Sequence, residues 1–140
     1  MRPFAVFAAL AALLALSGNA AAADRGLLRV QSSDYGPVLF DGRGYVLYAF
    51  TYDGKNKSRC YGACAKAWPP YLVKQPKASA GAKPSLLGTT RRSDGSIQAT
   101  YNGWPLYYYV HDGKGQILCQ NVKEFGGLWL ILRGSGKLVR

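Results

Sequence analysis

One stretch of this chain occurs twice, and that doubling restricts the fold more than any other feature. Residues 44–60 read GYVLYAFTYDGKNKSRC and residues 103–119 read GWPLYYYVHDGKGQILC, at a constant offset of 59 without a gap. Tyr45 pairs with Trp104, Leu47 with Leu106, Tyr48 with Tyr107 and Phe50 with Tyr109. Asp53-Gly54-Lys55 pairs with Asp112-Gly113-Lys114, and Cys60 with Cys119. Two copies of a strand-and-turn unit predict a duplicated core with pseudo-twofold character.

Local patterns place the units. Val38 to Phe40, the Asp41-Gly42 reversal and Tyr45 to Tyr52 read as a β-hairpin, rich in β-branched and aromatic residues. The two-residue period puts Tyr48, Phe50 and Tyr52 on one face, and Tyr107, Tyr109 and His111 on its counterpart. Cys60 to Trp68 breaks the alternation and predicts one short helix, stopped by Pro69-Pro70. Asn102-Gly103 is a hairpin turn leading into Leu106 to Val110, and Leu128 to Leu132 is a last apolar strand. Trp129 stands ten residues after Cys119, whereas Trp68 stands eight after Cys60, so the second copy is expected to lack the helix. The predicted fold is mainly β: two related hairpin repeats (about 36–73 and 85–132) in one small domain, 36–140. A loose segment at 24–35 precedes it, and 74–84 is expected to be a surface linker.

Both copies carry Y-x-[FWY]-x-x-D: Tyr48, Phe50 and Asp53, then Tyr107, Tyr109 and Asp112. The first is followed by C-x-G-x-C-A-x-x-W-P-P from Cys60 through Cys64 to Trp68, Pro69 and Pro70. Over roughly Gly36 to Leu132 this resembles a bacterial secreted-repeat family, predicted lipoproteins with a Y-x(4)-D motif. The resemblance implies an envelope location and no chemistry, because the family is described as being of unknown function.

The start of the chain agrees on export. Met1-Arg2, thirteen apolar residues from Phe4 to Leu16, and Ala21-Ala22-Ala23 have the layout of a signal peptide, residues 1–23. The apolar run is short of the ~20 residues that a membrane span requires. Leu16-Ser17-Gly18 would suit a lipobox, but Asn19 stands where cysteine is needed, so no lipid anchor is expected. The product would be a periplasmic or secreted protein cleaved near Ala23. Without Arg2 it keeps 17 basic and 7 acidic residues, a formal charge of +10. That excess favours anionic envelope partners over nucleic acid, for which no motif is present.

The acids point away from catalysis. Asp41, Asp53, Asp94 and Asp112 each precede glycine, a turn dipeptide in which the carboxylate accepts backbone N–H bonds and Gly takes a positive φ. Glu124 is the sole glutamate, so a paired-carboxylate hydrolase has little to work with. His111 replaces Tyr52 of the first copy and reads as a packing or edge residue. The cysteine spacing fits neither C-x-x-C-H nor C-x-x-C, and no metal or other cofactor is expected.

Three cysteines in an exported chain leave one unpaired. Loop closure would favour Cys60–Cys119, at about 4 kcal/mol, over Cys60–Cys64, at about 2 kcal/mol. The family resemblance implies the opposite, Cys60 bonded to Cys64 with Cys119 a free thiol. Most tyrosines are expected in the core, the remainder forming a binding face or a set of rings for electron hopping. The leading expectation is a non-catalytic binding or structural envelope protein. Its rivals are a redox or metal-handling protein using Tyr, Cys and His, and a small secreted enzyme inhibitor.

Overall fold

Tyr48 and Tyr107, equivalent residues of the two copies, donate their backbone N–H groups to each other's carbonyls at 2.8 and 2.9 Å. The pseudo-twofold axis passes between them. These coordinates are a computed structural model, which describes residues 26–140. The leader, Asn19 and Ala23 lie outside the described residues.

The fold is mainly β, as the repeats predict. The strands are β1 (Leu27–Gln31), β2 (Val38–Asp41), β3 (Tyr48–Phe50), β4 (Lys77–Ser79), β5 (Leu87–Arg91), β6 (Ile97–Tyr101), β7 (Trp104–Pro105), β8 (Val122–Glu124) and β9 (Gly127–Ile131). Among the described residues, one α-helix, α1 (Ala63–Ala67), lies between β3 and β4, and a 3-10 turn (Pro84–Leu86) leads into β5. Three small sheets form, ordered β2-β1-β4, β3-β9-β8 and β5-β6-β7.

The copies exchange partners instead of closing on themselves. Strand β3 of the first copy pairs antiparallel with β9 of the second, Phe50 opposite Trp129. In return, Tyr108 and Val110 of the second copy donate to Pro69 and Ala67 of the first, at 2.8 and 3.0 Å. The second copy has the β8–β9 hairpin where the first has α1. Gly127 lets that hairpin come close: a Cβ there would lie 2.8 Å from the Phe50 ring and 2.9 Å from the Tyr52 backbone nitrogen.

Both faces of β3 are covered. Val46, Tyr48 and Phe50 join Trp68, Tyr107, Trp129 and the bonded cysteines in one cluster. Leu47 and Ala49 face a second cluster with Leu28, Leu39, Tyr101 and Leu106. Tyr52 does not continue the aromatic face. The strand ends at Phe50, and Tyr52 is half exposed. Asn102-Gly103 turns as expected, with both residues at positive φ.

Two expectations are corrected. The segment 24–35, read as loose, contains β1, antiparallel to β2 and parallel to β4. The linker 74–84 contains β4, whose Lys77 N–H donates to Gly26 and whose end at Ala80 accepts from Val30. Both act through main-chain bonds to a neighbouring edge, and such bonds require no side-chain alternation. Among the described residues, no helix is long and apolar enough to cross a membrane.

Candidate functional site

Partner exchange brings each motif tyrosine to the other copy's aspartate. The Tyr48 phenol donates to Asp112 Oδ2 at 2.7 Å. The Tyr107 phenol donates to Asp53 Oδ2, also at 2.7 Å. The second carboxylate oxygen closes a local loop: Asp53 Oδ1 accepts Arg59 N–H at 2.7 Å, and Asp112 Oδ1 accepts Leu118 N–H at 2.9 Å. Arg59 and Leu118 stand at the same offset of 59, so the whole unit is duplicated.

The carboxylates do accept backbone N–H groups, as the Asp-Gly reading supposes, but the glycine part of that reading fails at three of its four sites. Only Gly95 takes a positive φ. At Asp53 and Asp112 the bond spans six residues, which leaves the glycine φ unconstrained. The tyrosine partners lie 54 and 64 residues away.

Burial governs the electrostatics. It pushes Asp53 up to about 6, outweighing its bonds from Tyr107 and Arg59 and the nearby Arg92 charge. Burial likewise raises Asp112 against the bonds from Tyr48 and Leu118. Tyr48 and Tyr107 are held well above the ordinary phenol value, first by burial and then by their carboxylate partners.

Between the two pairs runs a column of rings. Phe50 stacks on Trp129 at 4.1 Å, Trp129 on Trp68 at 4.0 Å, and Trp68 lies 4.8 Å from Tyr109, all between ring centroids. The column has the repeat symmetry, since Phe50 matches Tyr109 and the tryptophans match each other. The edge of Tyr48 meets Trp68 and the edge of Tyr107 meets Trp129, each at 5.2 Å. Trp68 Nε1 donates to Glu124 Oε2, and Trp129 Nε1 to the Glu124 carbonyl, both at 3.1 Å.

The surroundings differ between the halves. Beside Asp53, the Tyr107 oxygen lies 2.6 Å from Ser58 Oγ. Buried Arg92 donates to Ser58, Gln98 and the Cys60 carbonyl at 2.9, 2.8 and 2.6 Å. Beside Asp112 the network ends in Cys119, whose N–H donates to the Tyr48 oxygen at 3.4 Å. Cys60 is bonded to Cys64, Cα atoms 5.3 Å apart, and Cys119 is a free, half-buried thiol that burial raises. The expected strand Leu106 to Val110 is not regular beyond β7, and there Pro70 forms a single bridge with Tyr107 while the Pro69 carbonyl accepts the Tyr108 N–H.

His111 is exposed, and its ring makes an edge contact with that of Tyr109, 5.5 Å between centroids. Among the described residues, no three metal-ligating side chains gather. Sequence reasoning missed Ser58, Arg92 and the role of Glu124. The isolation of Glu124 as the one glutamate was the available sign.

A second feature lies over the other face. An open groove of about 1080 Å³ is lined by Arg43, Tyr71, Leu72, Lys74, Lys77 and Tyr108, among others. Asp41 at its floor accepts the Tyr108 phenol at 2.7 Å and Arg43 Nε at 3.2 Å. The Arg43 guanidinium lies over the Tyr45 and Tyr108 rings, at 5.0 and 5.8 Å, with its side chain 55% exposed.

No curated protein and no solved structure matches the chain. A family model matches it twice, over residues 30–71 and 88–133, which are the two exchanged copies with their motif pairs. The chain belongs to that family, Lipoprotein_15, described as a secreted repeat of unknown function.

Proposed function

We propose that this is a non-catalytic, exported envelope protein that binds anionic groups, phosphate or carboxylate, on envelope glycans or lipid headgroups. The groove at Arg43, Lys74 and Lys77 carries the reading. Its cations stand beside tyrosine rings, the combination that suits an acidic and partly apolar ligand. Asp41 offsets the charge of Arg43, to which it is paired at 3.2 Å, but among the described residues no acid pairs with Lys74 or Lys77, which leaves the groove a net positive charge. The motif acids stay out of the groove, each filled by a tyrosine and a backbone donor. Export in soluble form, with cleavage near Ala23 and no acyl chain on Asn19, belongs to the same reading.

The test is retention at low salt on an immobilised acidic polysaccharide, run beside cosedimentation with vesicles containing an anionic phospholipid. Binding to one surface alone identifies the source of the anion. Absence of binding to both at low salt would refute the reading.

A further inference from the structure

The stacked tryptophans and the Tyr–Asp pairs have a chemistry that the groove does not use. We propose that they form a sink for one-electron-oxidising radicals, with Tyr48 and Asp112 as its end point.

Access comes through Tyr109, half buried at one end of the column and 4.8 Å from Trp68. Trp68 and Trp129 are parallel within 4° at 4.0 Å, so electron deficiency spreads over both indoles and is easier to create than on either alone. Of the three tyrosines against the stack, Tyr48 and Tyr107 compete to fill that hole, because both touch it at 5.2 Å and both donate to a carboxylate, as Tyr109 does not among the described residues. Oxidation makes a phenol strongly acidic, and a neutral phenoxyl radical forms when a base stands within about 2.6–3.2 Å to receive the proton. Both phenols meet that condition, at 2.7 Å.

Their neighbours decide between them. The Tyr107 network includes the buried Arg92 guanidinium, joined to it through Ser58, and a fixed positive charge opposes a hole nearby. Asp112 accepts from the Tyr48 phenol and the Leu118 N–H, and among the described residues no cationic side chain lies within ion-pair distance of it. The hole therefore settles on Tyr48.

The step balances. An oxidising radical X• of the peroxyl class takes one electron through Tyr109 and the stack, becoming X⁻. Tyr48 returns that electron to the indoles, and its phenolic proton crosses to Asp112. The products are X⁻, the Tyr48 phenoxyl radical and a neutral Asp112 carboxyl. An ene-diol reductant restores the phenol by giving one electron while Asp112 gives back the proton.

Pulse radiolysis with azidyl radical, a neutral one-electron oxidant that becomes azide, tests this on the whole protein. A Cys119→Ser background removes the thiol as a rival sink. Indolyl absorption should convert to phenoxyl absorption at a rate independent of protein concentration and slower in heavy water. Tyr48→Phe and Asp112→Asn should each abolish the long-lived phenoxyl component, while Tyr107→Phe keeps it. The heavy-water measurement needs only the Cys119→Ser protein, so it stands even if a Tyr48 or Asp112 variant fails to fold. An unchanged long-lived component in folded Tyr48→Phe, or no dependence on heavy water, would overturn the proposal.

Discussion

Tyr48 and Asp112 are 64 residues apart and bond at 2.7 Å, and Tyr107 repeats the bond to Asp53 from the opposite copy. The recurring Y-x(4)-D spacing thus describes two half-sites. Each hexamer supplies a phenol to its twin and receives one. Four of the six motif side chains then act as clasps across the pseudo-twofold, and the aromatic third positions, Phe50 and Tyr109, extend the tryptophan stack at its two ends.

Removing a clasp should destabilise by more than one ordinary hydrogen bond. Tyr107→Phe leaves a buried carboxylate oxygen and Ser58 short of a partner, at a cost of about 1–3 kcal/mol. Tyr48→Phe should cost less, because Asp112 is only partly buried. Urea denaturation measures both. A double-mutant cycle on Tyr48 and Asp112 should show a coupling of at least about 0.5 kcal/mol.

Asp53 predicts a pH dependence whose sign differs from that of a salt-bridged acid. Its carboxyl is raised from 3.8 to about 6 in the folded protein. The folded state therefore holds a proton that the unfolded state has released between those values, and stability from this group falls as pH rises through that window. It is fully present below about pH 4 and lost above about pH 6. Melting temperatures of the wild type and Asp53→Asn, compared from pH 4.5 to 7.5, should diverge, with the wild type gaining relative to the variant on the acid side.

The tryptophan stack should be the costliest part of the core to open. Trp129 is fully buried between Phe50 and Trp68. Trp129→Ala should destabilise by about 3–5 kcal/mol, read from the denaturant midpoint.

The disulfide should prove modest. Peptide mapping without reduction should join Cys60 to Cys64 and leave Cys119 open to alkylation. The bridge closes a loop of only four residues in sequence, so reduction should cost about 2 kcal/mol.

Groove binding should follow charge. Lys74→Glu with Lys77→Glu should shift elution from the acidic resin to markedly lower salt without changing the melting temperature, since both side chains are exposed. Arg43→Ala should weaken retention further, and it also frees the rings of Tyr45 and Tyr108.

How far the sequence reached can be seen residue by residue. The matched hexamers showed the duplication, and Asn102-Gly103 showed its turn, because both depend on near neighbours in the chain. The altered spacing between cysteine and tryptophan showed that one copy would lose its helix. Strands β1 and β4 were invisible for a different reason. They pair through main-chain groups along an existing edge, and Lys77-Ala78-Ser79 carries no alternation to announce it.

By itself, then, the sequence determined that the chain is doubled, mainly β, and rich in aromatic strand residues with acids five positions on. Only the tertiary structure decided that each acid belongs to the other copy's tyrosine, that Trp68 and Trp129 stack, and that Arg92 lies on one side alone. Those contacts depend on which strand lies beside which across more than fifty residues, and local periodicity carries no record of that choice.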